Sequence, residues 1–287
     1  MNHSMQFNII GAGRLGSSLA YALINRARWQ LLTLCNQHLS SAQQTVERLK
    51  SGSAVATIVE LSSAPITFIA TPDDHIAEVA KTLANNPFLK PGDVVVHCSG
   101  VYSSSLLQPL SDRGCYVASI HPFKAFKTAM TDSDLFQDCD CVIEGDANAL
   151  TLLSTLFGQL GAKVISLNTE KKQLYHAAAT MASNYLVSLA SIATSLLVEA
   201  GIEASLAKQM CERLMESNLQ NIRASASAEQ ALTGPLLRGD IQTILLHLGA
   251  IKNPLIGDLY RAAGLATLPL TNNSDERLMT LSSLLES

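Results

Sequence analysis

Up to about residue 167, short runs of β-branched and other apolar residues alternate with stretches whose apolar positions recur at helical spacing. That order predicts a parallel sheet covered by helices on both faces. The runs that read as strands are Phe7 to Ile10, Leu31 to Cys35, Ala54 to Val59, Ile66 to Ala70, Val94 to His97, Tyr116 to Ile120, Cys141 to Glu144 and Lys163 to Leu167. Helices such as Leu15 to Asn25 and Asp74 to Leu83 lie between them. Beyond residue 168 no strand-like alternation survives. The apolar spacing becomes helical through Leu285, with breaks near Gly201, Gly234 to Pro235, Asn253 to Pro254 and Pro269. The expected organisation is an α/β domain over residues 1–167 and an all-helical domain over 168–287, in keeping with roughly 150 residues per domain.

One segment changes this picture. Between Lys172 and Glu199 no Asp, Glu, Lys or Arg intervenes, a length that can span a bilayer. His176, Thr180, Ser183, Asn184, Ser188, Ser191 and Ser195 recur about every four residues there, which places a polar stripe on one helix face. The expectation is a buried helix of a soluble protein, with no membrane partner. Met1 to Gln6 lacks the charged start and apolar stretch of a signal peptide. Apolar residues make up 47% of the 287 and charged residues 15%, so burial can offset chain entropy and disorder is not expected. Lys and Arg number 20 against 24 Asp and Glu, a net charge of -4, which offers nucleic acid no electrostatic footprint. The six cysteines show no paired zinc spacing, sit mostly in apolar runs and fit a reducing cytoplasm, so no metal site is expected.

The sharpest local signal is Gly11-Ala12-Gly13-Arg14-Leu15-Gly16, which follows the first strand and opens a helix. It is the dinucleotide fingerprint in its required context, and it makes the first domain Rossmann-type. Gly11 permits the tight turn, Gly13 lets the backbone approach a pyrophosphate, Gly16 allows close helix packing, and the helix N-terminus offers N–H groups to phosphates. Where an NAD enzyme carries an acid at the end of the second strand, this chain reads Cys35-Asn36-Gln37-His38. Without that acid a ribose 2′-phosphate meets no repulsion, so NADP is favoured over NAD and Asn36 joins the cofactor residues, or the stretch is an ordinary polar turn.

Ligands in open α/β sheets gather at the carboxyl ends of the strands, and the later exits are polar: Thr71-Pro72-Asp73-Asp74, Cys98-Ser99-Gly100 and His121-Pro122-Phe123-Lys124. Thr71, Pro72 and Ser99 are candidates for the cofactor, and Ser99 and Lys124 for a substrate. Asp73 or Asp74 reads as a helix N-cap, and Ser99 serves equally as turn chemistry. His121 can exchange a proton with a substrate oxygen, or be structural. In the helical domain His176, Thr180 and Asn184 face one way. They serve a ligand or hydrogen bonds between helices. Arg238 either clamps an anionic substrate or pairs with Asp240.

These strings, with Tyr175-His176-Ala177-Ala178 through Ser183-Asn184-Tyr185 and Ala231-Leu232-Thr233-Gly234-Pro235 before Arg238-Gly239-Asp240, resemble Rossmann-like proteins that carry a helical C-terminal domain of unknown function and are labelled NADP oxidoreductases. That group in turn resembles the β-hydroxyacid, 6-phosphogluconate and pyrroline-carboxylate dehydrogenases and reductases. The resemblance covers nearly the whole chain. One departure stands out: the β-hydroxyacid dehydrogenases carry a catalytic Lys four residues before an Asn, and here Thr180 stands four before Asn184. The expected function is an NADP-dependent oxidoreductase acting on a small carbonyl, alcohol or imine between the domains, with His121 or His176 moving the proton and Asn184 beside them. A silent NADP-binding sensor is the other reading. The apolar helical domain suggests a homodimer.

Overall fold

The computed structural model describes residues 5–129 and 132–286; the reading of Met1 to Gln6 falls mainly on residues 1–4, outside the described residues. The chain divides into two compact units, Met1–Ser183 and Asn184–Ser287. Residues 168–183, helical as the spacing predicts, group with the first unit. The reason is a buried anchor, Lys172, whose ammonium reaches the sheet.

In the first unit, β1 (Gln6–Ile10), β2 (Gln30–Cys35), β3 (Ser53–Val55), β4 (Ile66–Ile69), β5 (Val94–His97), β6 (Tyr116–Pro122), β7 (Asp140–Gly145) and β8 (Lys163–Ser166) form one sheet in the order β3-β2-β1-β4-β5-β6-β7-β8. Helices α1 (Arg14–Asn25), α2 (Leu39–Leu49), α3 (Ile76–Leu83), α4 (Gln108–Ser111), α5 (Ala147–Gln159) and α6 (Lys172–Thr180) accompany it. Alternate residues of the central strands feed two apolar cores. Phe7, Ile9, Phe68 and Val96 belong to one, and Ile10, Ile69, Val95 and Val117 to the other. Such two-sided burial is what a parallel sheet needs, and each large apolar side chain withdrawn from water contributes about 1.5–3 kcal/mol.

Three details depart from the sequence pattern. The expected strand Ala54 to Val59 stops at Val55, because Thr57 and Glu60 form a reciprocal capping box that turns the chain into a short 3₁₀ segment, Ile58–Glu60. β6 pairs with β7 antiparallel, so the sheet is mostly rather than wholly parallel. The same strand also runs on to Pro122, with His121 opposite Val142 and Pro122 opposite Cys141. β5 leaves β6 at Ser119, so the proline sits where the strand has one neighbour and its missing N–H costs no ladder bond. His121 is therefore a strand residue rather than the first residue of a loop.

The second unit is helical: α7 (Leu186–Glu199), α8 (Ala204–Ala224), α9 (Ala228–Ala231), α10 (Pro235–Arg238), α11 (Ile241–Ala250), α12 (Pro254–Thr267) and α13 (Asp275–Glu286). Ile244, Leu268, Leu281 and Leu285 make its small core. The expected buried helix between Lys172 and Glu199 is not buried. It comprises α6, one π-helical turn (Met181–Tyr185) and α7, and Lys172 is its single buried residue. Leu186, Val187, Leu189 and Val198 face water, Val187 at 69% exposure. Thr169–Glu199 is long and apolar enough to cross a membrane by length and composition. Several hydroxyls of its polar stripe, Thr180, Ser188 and Ser195, donate to carbonyls one turn back in their own helix, as does Thr194 beside the stripe.

Candidate functional site

The glycine-rich turn is built between β1 and α1. Gly11 has φ +88°, a conformation that L side chains rarely adopt, and its N–H donates to the Cys35 carbonyl at 2.8 Å. A Cβ on Gly11 would lie 2.7 Å from the Thr71 nitrogen, and one on Gly16 would lie 2.2 Å from the Gly11 carbonyl oxygen. These two glycines let β1, β4 and α1 approach. Gly13 differs, since a Cβ there meets nothing within 4 Å. Its freedom leaves space in front of the α1 N-terminus, where no side chain caps the helix and no acid occupies the first turn. Orphan N–H groups with the positive end of the helix dipole then face that space. Arg14 is exposed at the first helical position, while Ala12 and Leu15 pack partly on the core.

Asn36 closes the turn from the other side. Its Oδ1 accepts the Ala12 N–H at 2.7 Å and its Nδ2 donates to Ser41 Oγ at 3.1 Å. The Thr71 hydroxyl, beside Gly11, is buried with no partner among the described residues, and such a group calls for a ligand or a water. Pro72, rather than Asp73 or Asp74, occupies the N-cap of the 3₁₀ segment Asp73–His75. The turn thus fits a dinucleotide: Gly11 to Gly16 and Thr71 would meet the pyrophosphate side and Asn36 the adenosine ribose side.

A second cluster forms at the ends of β5 and β6. His121 Nδ1 and the Tyr175 hydroxyl are 2.8 Å apart, and the His121 and His176 rings meet edge to face at 5.4 Å between centroids. Gly100 closes the group. A Cβ on it would lie 2.4 Å from His176 Nδ1 and 2.9 Å from His121 Nε2, so any side chain there would push on both rings. His176 Nδ1 is buried without a partner among the described residues. Burial first, then the neighbouring His176 and Lys172, push His121 down to about 4, so it is a neutral imidazole near pH 7. Burial pushes the Tyr175 hydroxyl up, and it keeps its proton.

Behind this cluster lies a buried ionic group that the sequence pattern gave no reason to single out. Glu144 and Lys172 are each 2% exposed along their side chains and pair at 3.2 Å. Lys172 Nζ also donates to Ser119 Oγ, which donates in turn to Glu144 Oε1 at 2.5 Å. Ser104 gives the same carboxylate its N–H and hydroxyl, both at 2.8 Å, and Thr169 adds a hydroxyl at 3.1 Å. Burial alone would raise the Glu144 carboxyl, but these donors and the ammonium together hold it below its ordinary range.

Other expected site residues are occupied elsewhere. Ser99 Oγ accepts the N–H groups of Val101 and Tyr102, which is turn chemistry. Lys124 Nζ donates to the Leu135 carbonyl at 2.6 Å. Thr180 donates to the His176 carbonyl. Arg238 pairs with Asp240 through Nε and Nη2, both at 2.8 Å, which is the structural alternative for that residue. Asn184 is exposed and belongs to the second unit.

A model of a Rossmann-like domain matches residues 2–122, and a model described as Domain of unknown function (DUF2520) matches residues 139–267. The chain carries these two domains in that order. No curated protein matches it in sequence. Among solved structures, a Bacteroides fragilis protein described as a putative NADP oxidoreductase is 18% identical, with 93% of this chain and 98% of that one covered and a TM-score of 0.77. A Thermotoga maritima protein is 23% identical over 98% of this chain and 100% of its own, TM-score 0.69. The Plasmodium falciparum pyrroline carboxylate reductase, with NADP bound, is 13% identical over 99% of this chain and 98% of its own, TM-score 0.60. At these identities the likeness establishes the fold.

Proposed function

We propose that this protein is an NADP-dependent oxidoreductase that exchanges a hydride with a small carbonyl, alcohol or imine. The observation that carries the reading is the turn after β1. Two of its glycines are sterically obligatory, the third opens onto free space, and a buried Thr71 hydroxyl beside it lacks a partner among the described residues. When bound, the nicotinamide cofactor would supply or take up the hydride. The chain's own part is to hold the pyrophosphate on the α1 N-terminus and to move a proton at His121, with Tyr175 on its Nδ1 and His176 beside it. The reading also draws on the description of the Bacteroides fragilis protein and the NADP of the Plasmodium falciparum reductase.

The choice of NADP rests on Asn36. NADPH binds more tightly than NADH in titration calorimetry, and Asn36→Asp reverses the order. An aspartate keeps the acceptor for the Ala12 N–H, so the turn survives, while its charge repels a 2′-phosphate. Tighter NADH binding by the parent would remove the NADP assignment. A sensor that binds NADP without turnover is favoured by Thr180, whose hydroxyl is engaged by its own helix. NADPH oxidation over a panel of carbonyls and imines separates the two readings.

The working form we propose is a cytoplasmic homodimer. α7 carries no charged residue before Glu199 and leaves Val187 69% exposed, and α8 leaves Leu214 67% and Ile222 57% exposed. Stable interfaces bury about 1,200–2,000 Å² in total, and faces of this character are where a second copy would supply that area. Sedimentation equilibrium should give twice the chain mass, and replacing Val187 and Leu214 by glutamate should give monomers. A monomeric parent would end the proposal.

A further inference from the structure

We infer that Glu144 is a positioning residue: it holds in register the three segments that carry Gly100, His121 and the Tyr175–His176 pair. The inference rests on reading that cluster as the active site. Each of the three segments donates to the one buried carboxylate. The first is β6, where Ser119 stands opposite Glu144 and shares a strand face with His121 two residues on. The second is the loop from Cys98 to Ser104, which ends on the Glu144 carboxylate through the Ser104 N–H and hydroxyl. Earlier in this loop the Ser99 hydroxyl and the His97 ring hold Val101, Tyr102 and Ser103, so the Gly100 apex has little freedom. The third is the start of α6, pinned by Thr169 and Lys172. Tyr175 and His176 lie three and four residues past Lys172, on the same helix face.

Those five donors more than occupy the roughly four acceptor sites of the carboxylate. A buried ion pair contributes little stability over apolar residues of the same volume. What this one supplies is geometry: three segments far apart in sequence meet at one point, and the imidazoles project from that point. Gly100 has no space to spare against either ring, so a small shift of any segment changes the contact.

The test uses imidazole nitrogen NMR on the full-length protein without substrate. The double variant Glu144→Gln/Lys172→Met removes both charges, so neither is left buried alone. Its His121 Nδ1 signal should lose the shift imposed by the Tyr175 hydroxyl, and the His176 signals should move. Gly100→Ala, which pushes directly on both rings, sets the size of a full displacement. Phe157→Leu, a substitution in the apolar core under α5, should lower the melting temperature and leave the imidazole signals in place. Parent-like His121 and His176 signals in a folded double variant would overturn the inference, whatever its stability. If that variant does not fold, Ser104→Ala decides the matter, because it frees only the loop that carries Gly100. Unmoved His176 signals there overturn the proposal and moved ones support it. NADPH titration of the parent is read separately: its absence removes the oxidoreductase reading and leaves the positioning result standing on the imidazole signals.

Discussion

Gly13→Val lowers NADPH affinity by at least about 100-fold, about 2.8 kcal/mol, while the protein melts within a few degrees of the parent. Both halves follow from one observation. A Cβ at residue 13 meets nothing within 4 Å and the backbone there is extended, with φ -71° and ψ -154°, so the folded chain has room for a side chain. The isopropyl group then stands in the space through which a pyrophosphate must approach the α1 N-terminus. Gly16→Val is the contrasting variant, since its Cβ would collide with the Gly11 carbonyl at 2.2 Å and the cost falls on stability instead. Calorimetry with NADPH and a thermal melt on each protein read the two effects apart. A folded Gly13→Val protein that binds NADPH like the parent would remove the basis of the cofactor assignment.

His121→Ala lowers turnover by roughly 100-fold to 10,000-fold, the usual contribution of a positioned proton donor or acceptor, and leaves NADPH affinity unchanged. The pH dependence gives an independent check. Burial, then His176 and Lys172, bring His121 from the ordinary 6.5 to about 4. A depressed value means that the proton leaves at lower pH, so the imidazole stays neutral through pH 6.5 and becomes protonated only on approach to 4. The rate of alcohol oxidation, which needs a neutral acceptor, should therefore be level from neutrality down through pH 6 and fall below about 5. A rate that halves near pH 6.5 would assign the proton to a different group.

Much of the fold is legible in the sequence, because the strands are short runs rich in β-branched and other apolar residues and the fingerprint stands between one of them and a helix. The run Ala54 to Val59 overextends the strand because apolar content does not reveal a capping box between Thr57 and Glu60. The apolar run ends at Ile120, so the pattern leaves His121 and Pro122 to a polar strand exit. Only the sheet order shows that β5 has already left β6 at that point, where proline is harmless. The helix after Lys172 lies exposed for a different reason. Hydrophobicity measures what a residue would gain from a partner and says nothing about whether one chain contains that partner. His121, His176, Asn36 and Thr71 could be singled out from residue type and position. Glu144 and Lys172 could not, because 28 residues separate them and each alone looks like an ordinary charge. A carboxylate at the end of the apolar run Cys141 to Ile143 was the one available hint.

The hydrogen bonds of Asn36 bear on how this protein could change over time. The Ala12 N–H is satisfied by a side-chain oxygen that asparagine and aspartate both possess, while Ser41 Oγ, which accepts from the amide, gives its own proton to the His38 carbonyl at 2.8 Å and would have to turn away from it to meet a carboxylate. Exchanging an amide for an acid thus keeps the bond that closes the turn, rearranges one serine contact and changes the charge presented to the ribose. On the proposed reading, preference between the two nicotinamide dinucleotides is separated by a single codon change with no structural intermediate to cross. A lineage carrying this turn could drift between biosynthetic and catabolic reducing pools without first having to destabilise its fold.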